Sequence, residues 1–327
     1  MRIKFLIIRF SSIGDIVLTS PVSRMLKKQV PHSEVHFVTK AHFAHILAPN
    51  PNIDKIHTLN RNMSELLSAL KAEKFDYIID LHNNIRSTQI KLSLNTRSFT
   101  FDKLNLKKWL LTNLKINCMP NIHIVDRYLG TISGFIMGND HEGLDYHIPP
   151  ESEYDLATLP EVYRNGYIAF VIGGTYFTKR LPENKIIEIC RQINHPVVLL
   201  GGKREIATGK RVTEAVKGNV LNLCGKPGLH ESASLIRQAA VVLTNDTGMM
   251  HIASAFRKKI LSFWGNTVAS LGMYPYMPHP ASFRLEVNGL KCRPCSKLGY
   301  NKCPKGHFKC MNDIDTSFAV KWVREHF

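Results

Sequence analysis

The sequence predicts an α/β fold built from two Rossmann-like, doubly wound units. Three observations predict it. Short β-branched runs alternate with segments of helical spacing through the first part of the chain. That pattern fades between residues 138 and 165 and then restarts. Expected strands in both halves run out into glycine or small polar residues, as strands of a parallel sheet do where they meet a ligand crevice. At 327 residues the chain is long for one core and comfortable for two.

The elements follow in order. Residues 3–9 open the chain as a strand, because the apolar run stops at a Ser-Ser-x-Gly turn. Strands are expected again at 35–38, 55–59 and 77–81, and the segments 21–30, 41–47 and 64–73 between them place apolar residues at helical spacing. Alternation of this kind implies a parallel sheet covered on both faces. Residues 104–137 read as mainly helical, and 138–165, acidic and with three prolines, as a linker. The second half brings strands at 167–174, 196–202, 240–246 and 259–265, a helix at 183–193 and a closing amphipathic helix at 316–326. The expected division is 1–150, 151–312 and the closing segment 313–327.

Composition excludes several classes. With 44% hydrophobic and 21% charged residues the chain is globular rather than disordered. No apolar run approaches the ~20 residues of a membrane span, and the apolar stretch at the N-terminus is too short for a secretory signal. A cytoplasmic location is therefore expected. The net charge of +17 calls for an anionic partner. The basic residues form no arm-like run and accompany no zinc-finger or RNA-recognition signature, so nucleic acid is not the expected partner.

Of seven cysteines, Cys118, Cys190 and Cys224 fall in segments that read as packed elements. Cys292, Cys295, Cys303 and Cys310 form a C-x2-C-x7-C-x6-C cluster with His307 inside it. One C-x2-C pair suits two corners of a zinc site, but the second pair is too widely spaced for a standard ribbon. Zinc, free thiols and a disulfide all remain open there.

The stretch RFSSIGDIVLTSP poses a sharper question. Ser12 and Asp15 have the spacing of a capping box, and a carboxylate in a first helical turn suits the helix dipole. The same carboxylate, at a strand exit, also suits proton transfer. Other exits carry GGTYFTKRLP, GGKRE and NDTGMMH. Glycines there let a ligand approach the backbone, and the following helix amides, with Lys179 and Lys203, suit an anion. Several such exits across two units point to a phosphorylated ligand. Neither GxGxxG after a strand nor GxxxxGK[ST] occurs, which disfavours a nicotinamide dehydrogenase and a P-loop ATPase.

Along its whole length the chain resembles glycosyltransferase family 9, which includes the bacterial ADP-heptose:lipopolysaccharide heptosyltransferases. SSIGDIVLTSP and the D-T-G-x-x-H-x-A segment from Asp246 to Ala253 carry the resemblance most specifically, supported by DLHNNIRS, HIVDRY, TYFTKRLPENKI and GGKRE. The resemblance implies the GT-B fold, with two Rossmann-like domains facing a central cleft, acceptor-binding first and nucleotide-sugar-binding second. It implies inverting transfer of heptose from ADP-heptose to a lipopolysaccharide inner-core acceptor, with Asp15 as general base. Donor contacts are implied for Gly174, Thr175, Lys179, Glu205, Asp246, Thr247, Gly248 and His251. Ser12, Arg9, Arg86, His123 and Arg127 are acceptor candidates. No D-x-D motif follows a strand, so no metal and no other cofactor is expected. The positive charge fits an anionic lipid-linked acceptor and peripheral contact with the inner membrane face, where each cation near the headgroups gains ~1 kcal/mol. Another nucleotide sugar, or a non-catalytic protein that binds anionic ligands, stands as the alternative.

Overall fold

The computed structural model describes residues 2–327. The chain forms two compact units, one from residues up to 104 together with 122–147, the other from 105–121 and 148–327.

The first unit is a parallel sheet of β1 (Ile3–Ile8), β2 (Ser33–Lys40), β3 (Lys55–Leu59), β4 (Tyr77–Asp80) and β5 (Ser98–Thr100), in the order β3-β2-β1-β4-β5. The centre is apolar because both faces are covered, as a parallel sheet requires. Leu6, Ile8, Val38 and Ile78 pack beneath Leu66 and Leu70 of the helix Met63–Glu73. In register, Ile8 stands between Val38 and Asp80.

The second unit is a six-stranded parallel sheet: β6 (Ile168–Val171), β7 (Val197–Leu200), β8 (Val220–Asn222), β9 (Val241–Asn245), β10 (Lys259–Trp264) and β11 (Phe283–Glu286), in the order β11-β10-β9-β6-β7-β8. Its strands show the period of two directly. Ile168, Phe170, Leu199, Leu243 and Phe263 share one face with the helices Glu183–Gln192 and Thr316–His326. Ala169, Val171, Val198, Val242 and Trp264 share the other with Leu229–Gln238 and Gly248–Ala255. Removing a side chain as deeply buried as Phe170 costs about 3–5 kcal/mol.

Several sequence expectations are refined. Residues 104–137 are helical only at Asn105–Trp109, Leu110–Leu114 and Ile124–Leu129, with a single turn at Gly130–Ile132. The second of these, which continues the first without a break, stops at Lys115 in the left-handed region, and Pro120 follows. Residues 105–121, read in sequence as part of the first unit, belong to the second. The acidic stretch after 138 is tied down: Arg24 donates to Asp140 at 2.9 and 3.0 Å, to Asp145, and to the Gly143 carbonyl at 2.8 Å. Helices also end without glycine, at left-handed Lys74, Asn95 and Lys217.

Both sheets have the strand order of a doubly wound fold, so each has one place where successive connections depart in opposite directions. In the first sheet it lies between β1 and β4, in the second between β6 and β9. A crevice opens at the carboxyl ends of such strand pairs, and Ser12 and Asp15 follow β1, Gly174 and Thr175 follow β6, and Asp246, Thr247 and Gly248 follow β9.

Candidate active site

In the first unit, β1 runs out through Arg9 into the helix Ile13–Val17, with Ser12 extended at its N-cap. Asp15 Oδ2 accepts from the Ser12 amide at 3.1 Å and from the Ser12 hydroxyl at 2.7 Å. Its Oδ1 lies 2.6 Å from Arg9 Nη2. The capping reading is thus correct, and the carboxylate is also ion-paired. Arg9 is itself buried and fixed: Nε donates to the Ser11 carbonyl at 2.8 Å, and Nη1 to the Leu81 carbonyl at 2.6 Å and the Tyr128 hydroxyl at 2.9 Å. Burial, the largest influence on Asp15, opposes its charge. The Arg9 charge and the Ser12 hydrogen bonds together outweigh it, and the carboxyl sits below its usual range. Asp15 is an oriented, ionised carboxylate with a fifth of its side chain exposed. A carboxylate offers about four acceptor directions, so these contacts leave room for a substrate hydroxyl.

At the exit of the neighbouring β4, Asp80 Oδ1 accepts from the His82 and Asn83 amides at 3.0 and 2.7 Å and shapes the turn. His82 lies edge-on to Phe10, with ring centroids 5.2 Å apart. Its Nδ1 is buried with no hydrogen-bond partner. Burial first, then the Arg9 charge, push its imidazole down to about 4, so it is neutral at pH 7. Sequence reasoning passed over His82. Its place directly after an expected strand, inside DLHNNIRS, is the signal that can find it.

The structure gathers Arg9, Ser12 and Asp15 into one cluster, with Tyr128 beneath Arg9. The other acceptor candidates stand apart from these contacts. Arg86 is exposed in the first turn of Ile85–Leu94. His123 is buried, and its Nδ1 accepts from the Val125 amide at 3.1 Å to cap Ile124–Leu129. Arg127 donates to the Asp102 carbonyl and lies over the Phe101 ring at 5.8 Å.

In the second unit, β6 runs out into Gly173-Gly174, and β9, whose last residue is Asn245, into Asp246-Thr247. The buried Asn245 side chain joins the two exits: Nδ2 donates to the carbonyls of Ile172 at 3.2 Å and Gly173 at 3.0 Å, while Oδ1 accepts from the Leu181 amide at 3.0 Å. Asp246 Oδ2 takes Lys179 Nζ at 2.6 Å and the Thr267 hydroxyl at 2.7 Å. The space at Gly174 is tight: a Cβ there would stand 3.0 Å from Arg180 Cγ and 3.4 Å from Thr247 Cγ2, so those side chains would have to shift. Thr247 Oγ1 is buried without a hydrogen-bond partner, immediately before the helix Gly248–Ala255. One turn on, His251 is buried. Glu205 Oε2 accepts from the Gly202 amide at 3.0 Å, and Oε1 lies 3.6 Å from Arg180 Nη1. Thr175 is exposed in the loop between Gly174 and Lys179. Arg180 and Thr267 were not singled out in sequence. Thr267 has no local signal, because it meets Asp246 only through the fold.

This exit suits an anion. A lysine, the amino end of a helix and a glycine-lined backbone converge where the sheet switches direction.

Two other clusters hold candidate metal-binding side chains, and the second, the cysteine loop, borders the β6 exit. His36, His57 and Glu73 bring possible metal-binding atoms within 4.8 Å of one another. Each is already partnered: His36 Nδ1 with His57 Nε2 at 3.0 Å, His36 Nε2 with Glu34 at 2.8 Å, and Glu73 with Lys55 and Lys4 at 2.5 and 3.2 Å. All seven cysteines are free thiols. Cys292 Sγ lies 3.9 Å from His307 Nε2, and burial pushes the Cys310 thiol up to about 12.

Comparison with known proteins gives one answer. Residues 63–300 match the model of glycosyltransferase family 9 (heptosyltransferase). The lipopolysaccharide heptosyltransferase 1 of Campylobacter coli is 25% identical over 99% of both chains. Among solved structures, the glycosyl transferase family 9 protein of Veillonella parvula DSM 2008 superposes with a TM-score of 0.78 at 19% identity, covering 98% of this chain and 96% of that one. The E. coli ADP-heptose lps heptosyltransferase II gives 0.75 at 17% identity, covering 99% and 98%.

Proposed function

The chain belongs to glycosyltransferase family 9, the heptosyltransferases of lipopolysaccharide core synthesis, and from that premise we propose that it moves heptose from ADP-heptose to an inner-core acceptor with inversion and without a metal ion. The first unit binds the acceptor and the second the nucleotide sugar. The observation that carries this reading is the β6–β9 exit, where Lys179, Asp246, Gly174 and the unpartnered Thr247 hydroxyl converge.

Inversion needs an acceptor hydroxyl to attack the anomeric carbon opposite the leaving diphosphate. Asp15 accepts its proton as the bond forms. Arg9 keeps Asp15 ionised and aimed, at the cost of some basicity. Lys179 and the helix amides after Thr247 meet the charge that grows on the departing ADP. Asp246, released by Lys179, holds sugar hydroxyls, with Gly248 and His251 beside them. Gly174 and Thr175 line the phosphate path, and Glu205 receives the ribose. The acceptor is anionic and lipid-linked, which places the enzyme peripherally at the inner face of the cytoplasmic membrane.

The test is ADP release and product anomer in a reaction of ADP-heptose with heptose-deficient core lipid. Turnover that survives EDTA, with inverted product, is expected. Loss of turnover on chelation and recovery with Mg²⁺ overturns the metal-free mechanism, and preference for UDP- or GDP-sugars overturns the donor.

A further inference from the structure

The helical segment 105–114 and the coil after it present apolar side chains to solvent in a way the rest of the second unit does not require. Leu106, Trp109, Leu114 and Ile116 are 71%, 52%, 53% and 50% exposed, while Leu111 alone is turned fully inward, at 4%. Leu106, Trp109 and Leu110 recur at i, i+3 and i+4, and so share one stripe of the helix. Such a stripe ordinarily faces a core, and here Leu106 and Trp109 face outward while Leu110 is half-buried.

The segment is well anchored behind that stripe. Lys115 Nζ donates to the Thr112 and Pro294 carbonyls, both at 2.6 Å. Thr112 Oγ1 donates to the Lys108 carbonyl at 2.9 Å, and Asn113 Nδ2 to the Trp109 carbonyl at 3.0 Å. The exposed side chains therefore belong to a held element.

Charge identifies the occupant. From Lys103 to Val125 the sequence contains Lys103, Lys107, Lys108 and Lys115 and no Asp or Glu. A short apolar stripe carrying an indole, with Lys107 and Lys108 inside its helix, Lys103 and Lys115 at its ends and one acid, Asp102, before it, matches the boundary between acyl chains and anionic headgroups. Lysine stems reach up to phosphates while Leu and Trp enter the boundary layer.

We propose that the stripe of Leu106, Trp109 and Leu110, with the neighbouring Lys107 and Lys108, docks the enzyme on an anionic phospholipid bilayer. This deepens the proposed membrane-side location and rests on it. Vesicles without acceptor separate the two, because binding and transfer are then read independently.

The protein supplies its own reporter. Trp264 and Trp322 are buried, at 1% and 4%, so changes in intrinsic fluorescence on docking come from Trp109. The full chain is mixed with phosphatidylcholine vesicles with and without phosphatidylglycerol. A blue shift and co-flotation with the anionic vesicles only, weakened by salt, are expected. Lys107→Glu/Lys108→Glu and, separately, Leu106→Ser are expected to weaken partitioning roughly tenfold or more. Leu106 and Lys107 are exposed and Lys108 is half-buried, and turnover with detergent-dispersed acceptor serves as the folding control. Equal binding to zwitterionic vesicles, no binding, or unchanged partitioning of both variants overturns the proposal. So does a stable dimer that Leu106→Ser dissolves, since the stripe is then a contact between copies of the chain.

Discussion

Asp15 shows how a capping residue and a proposed base can be one side chain. The sequence made the capping box plain, because Ser12 and Asp15 are local partners. It hid Arg9's part, since the guanidinium also reaches Leu81 and Tyr128, far along the chain. Without Arg9, burial acts unopposed by its strongest counterweight and the Asp15 carboxyl rises. Arg9→Met is therefore expected to move the acid limb of the kcat/KM profile to higher pH, whereas Asp15→Asn lowers kcat about a hundredfold or more at every pH. A pH series of initial rates on both folded variants checks this, and an unmoved acid limb in Arg9→Met rules out the electrostatic role. Lys179→Ala, which removes the partner of Asp246, is expected to raise the KM for nucleotide sugar at least about tenfold, read in the same assay.

Among elements, what was legible follows burial. The central strands β1, β4, β6, β7, β9 and β10 announced themselves as apolar runs because both faces are covered. Strands β5, β8 and β11 did not: they are short edge strands with half-exposed residues, so no hydrophobic run marks them. Asn245 joins β6 to β9 through groups that only the fold brings together. Asn245→Ala leaves the buried Leu181 amide and Gly173 carbonyl without their partner and is expected to cost roughly 1–3 kcal/mol in urea unfolding. The network between β2, β3 and the helix Met63–Glu73 gives a pH effect. Burial first, then its neighbour His36, push His57 from 6.5 down to about 4. Between those values the unfolded chain binds a proton that the folded chain refuses. Stability is full above pH 6.5, falls as pH drops through the window, and levels below 4. The His57 share is on the order of 2 kcal/mol at pH 5. His57→Phe is expected to flatten the decline between pH 7 and 5 in denaturant melts, and an unchanged slope counts against it.

For the whole molecule, the two-unit α/β architecture was readable because alternation of strands and helices is a long-range pattern that survives local errors. The assignment of 105–121 was not readable, since a segment's unit depends on contacts such as Lys115 with Pro294 and not on its place in the chain. The expected helix 64–73 stopped where the observed one does, but nothing in sequence marked the end of Ile206–Val216: its cap Lys217, like Lys74, is left-handed, with φ of 51° and 55° respectively, where glycine is the usual marker. Each holds a side chain in a backbone state that costs an L-residue roughly 1 kcal/mol. Lys74→Gly and Lys217→Gly therefore offer untapped thermal headroom, one in each unit and too far apart in sequence to share a helix, so a double variant should gain whatever the single ones gain.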